Sequence, residues 1–227
     1  MTGHARIATV NFRHGRISLA LHQLQAGSGR PLLILHALGE HAPDACPEWA
    51  DGWTGAVWAL DFTGHGESTR PEGGGYTAEA LLGDADAALE HLGSATVVGF
   101  GIGAYVALML AGARPTRVFG AVLCDGPGLA GGGVRPGSAS VPNPRLARDN
   151  GPDPYAVMEL ARDIRPPDYA TNFVRFAFDQ SLAAEPIVVA ALVRPEWLEA
   201  VVDQQGVLTA TLESAMQVLR QREAKDL

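Results

Sequence analysis

No histidine follows His91 in this chain of 227 residues; His4, His14, His22, His36, His41, His65 and His91 all lie before that point. A reaction that needs an imidazole from the C-terminal half is excluded at once. Cysteine is scarcer still. Cys46 and Cys124 are too few for a disulfide framework and lack the spacing of a metal knuckle or redox pair, which suits a reducing, cytoplasmic compartment. Basic residues are outnumbered, 17 Lys and Arg against 25 Asp and Glu, and Lys225 is the only lysine. The resulting charge of -8 argues against nonspecific binding to nucleic acid or to an anionic membrane. No run approaches the length of a membrane span, and MTGHARIATVNFRHG has no apolar core behind a basic head, so neither a span nor a leader is expected. There is no His-x-x-x-His, no paired cysteines and no acidic calcium loop; no metal and no cofactor are expected.

What the chain does have is glycine, 27 residues, and proline, 15, within a sequence that is 47% hydrophobic. Its size suits one α/β domain over residues 1–227 better than two. IATVNFRHGRISLALHQLQAG reads as a hairpin over about residues 7–24, stopping at Gly27 to Gly29, and LLILH as a covered central strand ending at His36. AVWAL is a second such strand, followed by FTGHGESTRPEGGG, whose glycines preclude a regular element. TAEALLGDADAALEH predicts an amphipathic helix, ATVVG a strand, GIGAYVALMLAGA a buried helix and VFGAVLC another strand. Apolar strands alternating with helices imply a mostly parallel sheet covered on both faces, with the hairpin as an antiparallel edge. After Asp125 the pattern breaks, and residues 129–185 are expected to form a long loop plus a small helical cap with helices near 155–165 and 168–182. EPIVVAALV is expected to be a strand, though VVAALV fits a helix equally well, WLEAVV a helix and TLESAMQVLRQREAKDL a last helix.

The most specific segment is ATVVGFGIGAYVALML, where Gly99, Gly101 and Gly103 alternate across a strand-to-helix turn. In a G-x-S-x-G nucleophile elbow, small flanking residues let helix and strand pack closely, and the middle residue holds a strained backbone that presents its side chain over the strand end. The middle residue here is Gly101. Three further segments agree in order: HALG at 36–39, DFTGHGES at 61–68 and VLCDGPG at 122–128. Together these resemble the α/β-hydrolase family over roughly residues 6–128. The resemblance implies an α/β-hydrolase-like fold with a Ser, Cys or Asp at the elbow, an acid after a later strand and a C-terminal histidine as base. This chain departs twice, because Gly101 offers no nucleophilic atom and the late histidine is missing. Covalent acyl transfer needs both partners within hydrogen-bond reach, so ordinary Ser-His-Asp hydrolysis is not expected.

The resemblance also implies an oxyanion-like pocket from the main-chain N–H of Ile102 and one from the Ala37 or Leu38 region, taken as Leu38. His36 and Asp125 sit at strand ends beside that pocket and are the candidates for any remaining chemistry; His65 and Asp61 read as loop organisers. Ala37, Phe100, Tyr155 and Phe173 are expected to line the pocket, the aromatics of the cap closing it. The alternating glycines also invite a dinucleotide reading, but they follow a late strand instead of the first. Three functions compete. One is a noncatalytic or atypical hydrolase-like protein binding a small molecule between sheet and cap; another is a hydrolase or lyase working through His36, Asp125 and backbone donors. The third is a structural scaffold, a homodimer with a filled pocket.

Overall fold

The computed structural model describes residues 6–129, 151–162 and 165–223. Its strands are β1 (Ala8–His14), β2 (Ile17–Leu35), β3 (Gly55–Asp61), β4 (Ala95–Phe100), β5 (Val118–Cys124), β6 (Ile187–Ala190) and β7 (Leu208–Thr209). The helices are α1 (Ala78–Leu92), α2 (Ile102–Ala113), α3 (Pro154–Leu160), α4 (Pro167–Gln180), α5 (Glu196–Val202) and α6 (Leu212–Glu223), with one 3-10 turn at Glu48–Ala50.

The hairpin and the first central strand, expected as two elements separated at Gly27 to Gly29, are one continuous β2. Its first half runs antiparallel to β1, with Thr9 opposite His22, and antiparallel to β3, with Ala20 opposite Asp61. Beyond the bend the register reverses: Leu32 faces Val57 and Leu35 faces Leu60, so the second half advances alongside β3. β3 therefore lies in a fork of β2. The fork closes tightly at Gly55, where a Cβ would stand 1.9 Å from the Arg30 carbonyl oxygen, and only glycine permits that approach.

From there the sheet continues in parallel through β4, β5, β6 and β7. Alternate strand residues point to opposite faces. Leu33, Leu35, Val97, Leu123 and Val189 join one core beneath α1, α2, α4 and α5, while Leu32, Ile34, Val98, Val122 and Val188 join a second with Ala215, Met216 and Leu219 of α6. α2 is buried along nearly its whole length, as its unbroken apolar sequence requires. α1 begins on Thr77, whose hydroxyl accepts from the Ala80 N–H at 3.1 Å, and stops at Gly93 with φ 82°.

The C-terminal third keeps the expected order, with two differences. The strand expected over 185–193 is confined to β6, because Asp125 takes the N–H groups of Leu192 and Val193 out of the ladder. β7, two residues long, is too short for any sequence pattern to mark. Much of the long loop expected after Asp125 falls outside the described residues; the cap helices α3 and α4 are present. Among the described residues no helix is long and apolar enough to cross a membrane.

Candidate functional site

The parallel strands end together: Leu35 is level with Gly99, Phe100 with Cys124, and Cys124 with Ala190. The residues that follow are His36, Gly101, Asp125 and Ala191, one from each strand end. The carboxyl edge of a parallel sheet is where an α/β protein places its ligand crevice.

Gly101 has φ 55° and ψ −120°, the sharp conformation an elbow needs and one that costs another residue of order 1–3 kcal/mol. Close helix–strand packing is enforced on both sides. A Cβ on Gly99 would meet the Gly103 carbonyl oxygen at 2.1 Å, and one on Gly103 would meet that of Leu35 at 2.5 Å. At Gly101 itself the added carbon would lie 1.9 Å from the carbonyl oxygen of Pro127. The space in front of the elbow is thus filled by the chain's own Gly126–Pro127 backbone.

That same carbonyl accepts two hydrogen bonds, from the N–H of Leu38 at 3.0 Å and from the N–H of Ile102 at 3.1 Å. Two main-chain donors converging on one oxygen at a helix start form the arrangement that stabilises a developing oxyanion. Here their partner is a permanent amide carbonyl. The loop sits deep enough that a Cβ on Gly126 would come 2.9 Å from the Gly101 nitrogen, and one on Gly128 2.8 Å from Cβ of Leu38.

A family model described as "Alpha/beta hydrolase family" matches residues 27–224. The chain belongs to the alpha/beta hydrolase family. No curated protein matches it in sequence. Among solved structures it is similar to a thioesterase domain from the curacin biosynthetic pathway, 16% identical with TM-score 0.64 over 96% of each chain. A structure titled for carboxylesterases of Nitrososphaera gargenis is 13% identical with TM-score 0.66, covering 97% of this chain and all of that one. A haloalkane dehalogenase loop variant from Bradyrhizobium elkanii is 14% identical with TM-score 0.62 over 96% of each. At these identities the likeness establishes the fold.

Within this family framework His36 is buried and fully engaged. Its Nδ1–H donates to the Ala37 carbonyl at 2.8 Å and its Nε2 accepts from the Phe62 N–H at 3.1 Å. Burial, reinforced by the neighbouring His65, lowers its pKa from the ordinary 6.5 to about 3, so the ring is neutral and ties the end of β2 to the end of β3. His65 is likewise buried and shifted down, chiefly by burial; Nδ1 bonds the Thr63 carbonyl and Nε2 accepts from the Gly39 N–H.

Asp125 turns away from the elbow. Its two oxygens accept from the N–H groups of Leu192 at 2.5 Å and Val193 at 2.9 Å, which clamps the loop after β6. Asp125→Ala is expected to cost about 1–2 kcal/mol and to speed hydrogen exchange at Leu192 and Val193 while leaving Leu38 and Ile102 protected. Unchanged exchange at 192 and 193 would show that the carboxylate does not hold that loop.

The four residues expected to line a pocket are not gathered at one spot. Ala37 touches the plug, since a Cβ on Gly126 would meet its methyl at 3.2 Å. Phe100 packs into the opposite core, its ring 5.8 Å from that of Trp49. Phe173 lies against Gly112 near the far end of α2, about 15 Å along the helix from Ile102 at 1.5 Å per residue. Tyr155 starts α3, where its N–H donates to the capping Asp153 at 3.0 Å.

Sequence reasoning missed Pro127, the residue that decides the site; the proline between two glycines at a strand end was the available signal. It also missed the cap's tether. The Tyr76 hydroxyl donates to buried Asp153 at 2.6 Å, and the N–H groups of Gly75 and Tyr76 donate to Glu159 at 2.7 and 2.6 Å. Cys124 is buried and its thiol is pushed up to about 12, first by burial and then by Asp125, so it stays protonated at neutral pH. Burial shifts Cys46 the same way. Among the described residues no cluster of His, Cys, Asp and Glu could hold a metal ion.

Proposed function

We propose that this hydrolase-fold protein does not carry out acyl transfer at its elbow and acts by binding, holding a small molecule between sheet and cap. The observation that carries the reading is the Pro127 carbonyl on the Leu38 and Ile102 donors. A substrate carbonyl would have to displace it before polarisation could begin, and Gly101 would then supply no nucleophile. Chemistry through His36 and Asp125 loses support because both ring nitrogens of the one and both oxygens of the other already have main-chain partners.

In this reading residues 1–227 form one domain with 129–185 inserted as loop and cap, in a reducing cytoplasm where Cys46 and Cys124 remain thiols. The half-buried Tyr155, at the start of the cap helix α3, offers apolar contact to the bound molecule. The test is a panel of p-nitrophenyl esters run to many equivalents, beside a thermal-shift screen of small acids and alcohols. The expected result is no multiple turnover and at least one compound that raises the melting temperature. Sustained turnover that vanishes in a folded His36→Ala or Asp125→Ala protein would overturn the noncatalytic reading.

A further inference from the structure

A hydroxyl–imidazole–carboxylate chain lies away from the elbow, built across three adjacent strands. Thr9 of β1 and His22 of β2 face each other in the ladder, and the Thr9 hydroxyl is 2.9 Å from Nδ1 of His22. Nε2 of His22 is 2.9 Å from an oxygen of Asp61, the last residue of β3. His22 and Asp61 are buried, whereas Thr9 is exposed on the edge strand.

The partners fix the proton positions. Asp61 also accepts from the N–H of Ala42 at 2.7 Å and of Glu67 at 2.8 Å. Burial opposes its charge, but the hydrogen bonds from His22, Glu67 and Ala42 prevail and hold the carboxyl below its usual range. With an anionic oxygen at Nε2, that nitrogen carries the ring proton, which leaves Nδ1 as the acceptor for the Thr9 O–H. Arg6 stands beside the ring, its Nη1 3.3 Å from Nδ1, where it donates beside the Thr9 O–H, and 3.5 Å from Nε2, with its charge shared by Glu67 at 2.8 Å and Asp44 at 3.2 Å. Nucleophile, base and orienting acid are therefore connected in the sense that activates a hydroxyl.

We propose that Thr9 is an acyl-accepting hydroxyl, activated by His22 and positioned through Asp61, which takes an acyl group from an aryl ester or thioester. In the step, Thr9 Oγ1 bonds to the acyl carbon while the bond to the leaving phenolate or thiolate breaks. The Thr9 proton passes to Nδ1 of His22 and from there to the leaving group. This is a single transfer, one acyl group per chain.

The test exposes the full chain to p-nitrophenyl acetate and maps acetylated peptides by mass spectrometry, with exposed Thr54 as internal reference. Acetylation at Thr9 about 100-fold faster than at Thr54 is expected, from the usual contribution of a positioned general base, with a further rise in Thr9→Ser. Thr9→Val should remove the adduct without disturbing the fold, and His22→Gln should bring Thr9 down to the Thr54 rate. Equal labelling of Thr9 and Thr54 in the wild-type chain would overturn the proposal, independently of whether His22→Gln folds. Because the adduct is located by peptide, this failure is distinct from failure of the noncatalytic elbow reading, which sustained turnover would reveal.

Discussion

Gly101→Ser is expected to yield a less stable protein and no hydrolase. The new Cβ would enter at 1.9 Å from the Pro127 carbonyl oxygen and 2.8 Å from two backbone carbons, and backbone cannot step aside as a side-chain tip can. A positive φ for serine costs about 1–3 kcal/mol, and overfilling a packed site typically adds about 1–3 kcal/mol. The combined loss is a large part of the roughly 5–15 kcal/mol that holds a domain folded. Chemical denaturation should show a midpoint shifted accordingly, and hydrogen exchange at Leu38 and Ile102 should accelerate as the Pro127 carbonyl is pushed off. A serine variant as stable as the parent, or one that turns over p-nitrophenyl acetate, would mean that the loop yields freely and that our account of the plug is wrong.

Acid should destabilise the fold well above the range where exposed carboxylates titrate. Folded His36 stays unprotonated down to about pH 3 and His65 is shifted the same way, whereas in the unfolded chain both protonate near 6.5. Between those values the unfolded state binds more protons, so stability falls as pH falls. The loss begins at about 6.5 and ends only where folded His36 titrates. At about 1.4 kcal/mol per pH unit, His36 alone removes about 3 kcal/mol between pH 6.5 and pH 4. Asp61 acts in the same direction at the lower end: its folded carboxyl lies below the usual range, so the stability it lends is present above the unfolded value and drains away as pH drops through the folded one. Asp84 works the other way, since burial raises its folded value despite the hydrogen bonds from His14 and Thr63, and it offsets part of the loss. Urea midpoints at pH 7, 5.5 and 4.5 should decline steadily, and His36→Gln should flatten the decline. A midpoint independent of pH over that interval would sink the claim that His36 is buried neutral.

Much of this fold was legible because its central strands are covered on both faces and α1 is covered on one. LLIL, ATVV and VFGAVLC could only be interior strands, and the stripe of Leu81, Ala85 and Leu89 could only face the core. The fork in β2 was not legible, since no local pattern distinguishes a strand that ends at Gly27 from one that bends there; the close contact with Gly55 decides it, and that contact lies far along the chain. The donors at Leu38 and Ile102 followed from the order of motifs, while their acceptor did not. A carbonyl oxygen carries no residue identity, so a site blocked by main chain leaves only the glycines that make room for it. His36 was singled out by its position at a strand end, yet its partners, a carbonyl one residue on and an amide on β3, depend on tertiary placement.

The plug being a backbone oxygen has a consequence for how this chain can change. Whatever side chain stands at position 127, the carbonyl stays, so no substitution there empties the donor pair; only moving the whole turn would. Ser-His chemistry at this elbow would require a serine at 101, a rerouted 126–128 segment and a histidine somewhere in the C-terminal third. The first of these, taken alone, lowers stability without conferring activity. The three changes are of different kinds, and no single substitution supplies all of them.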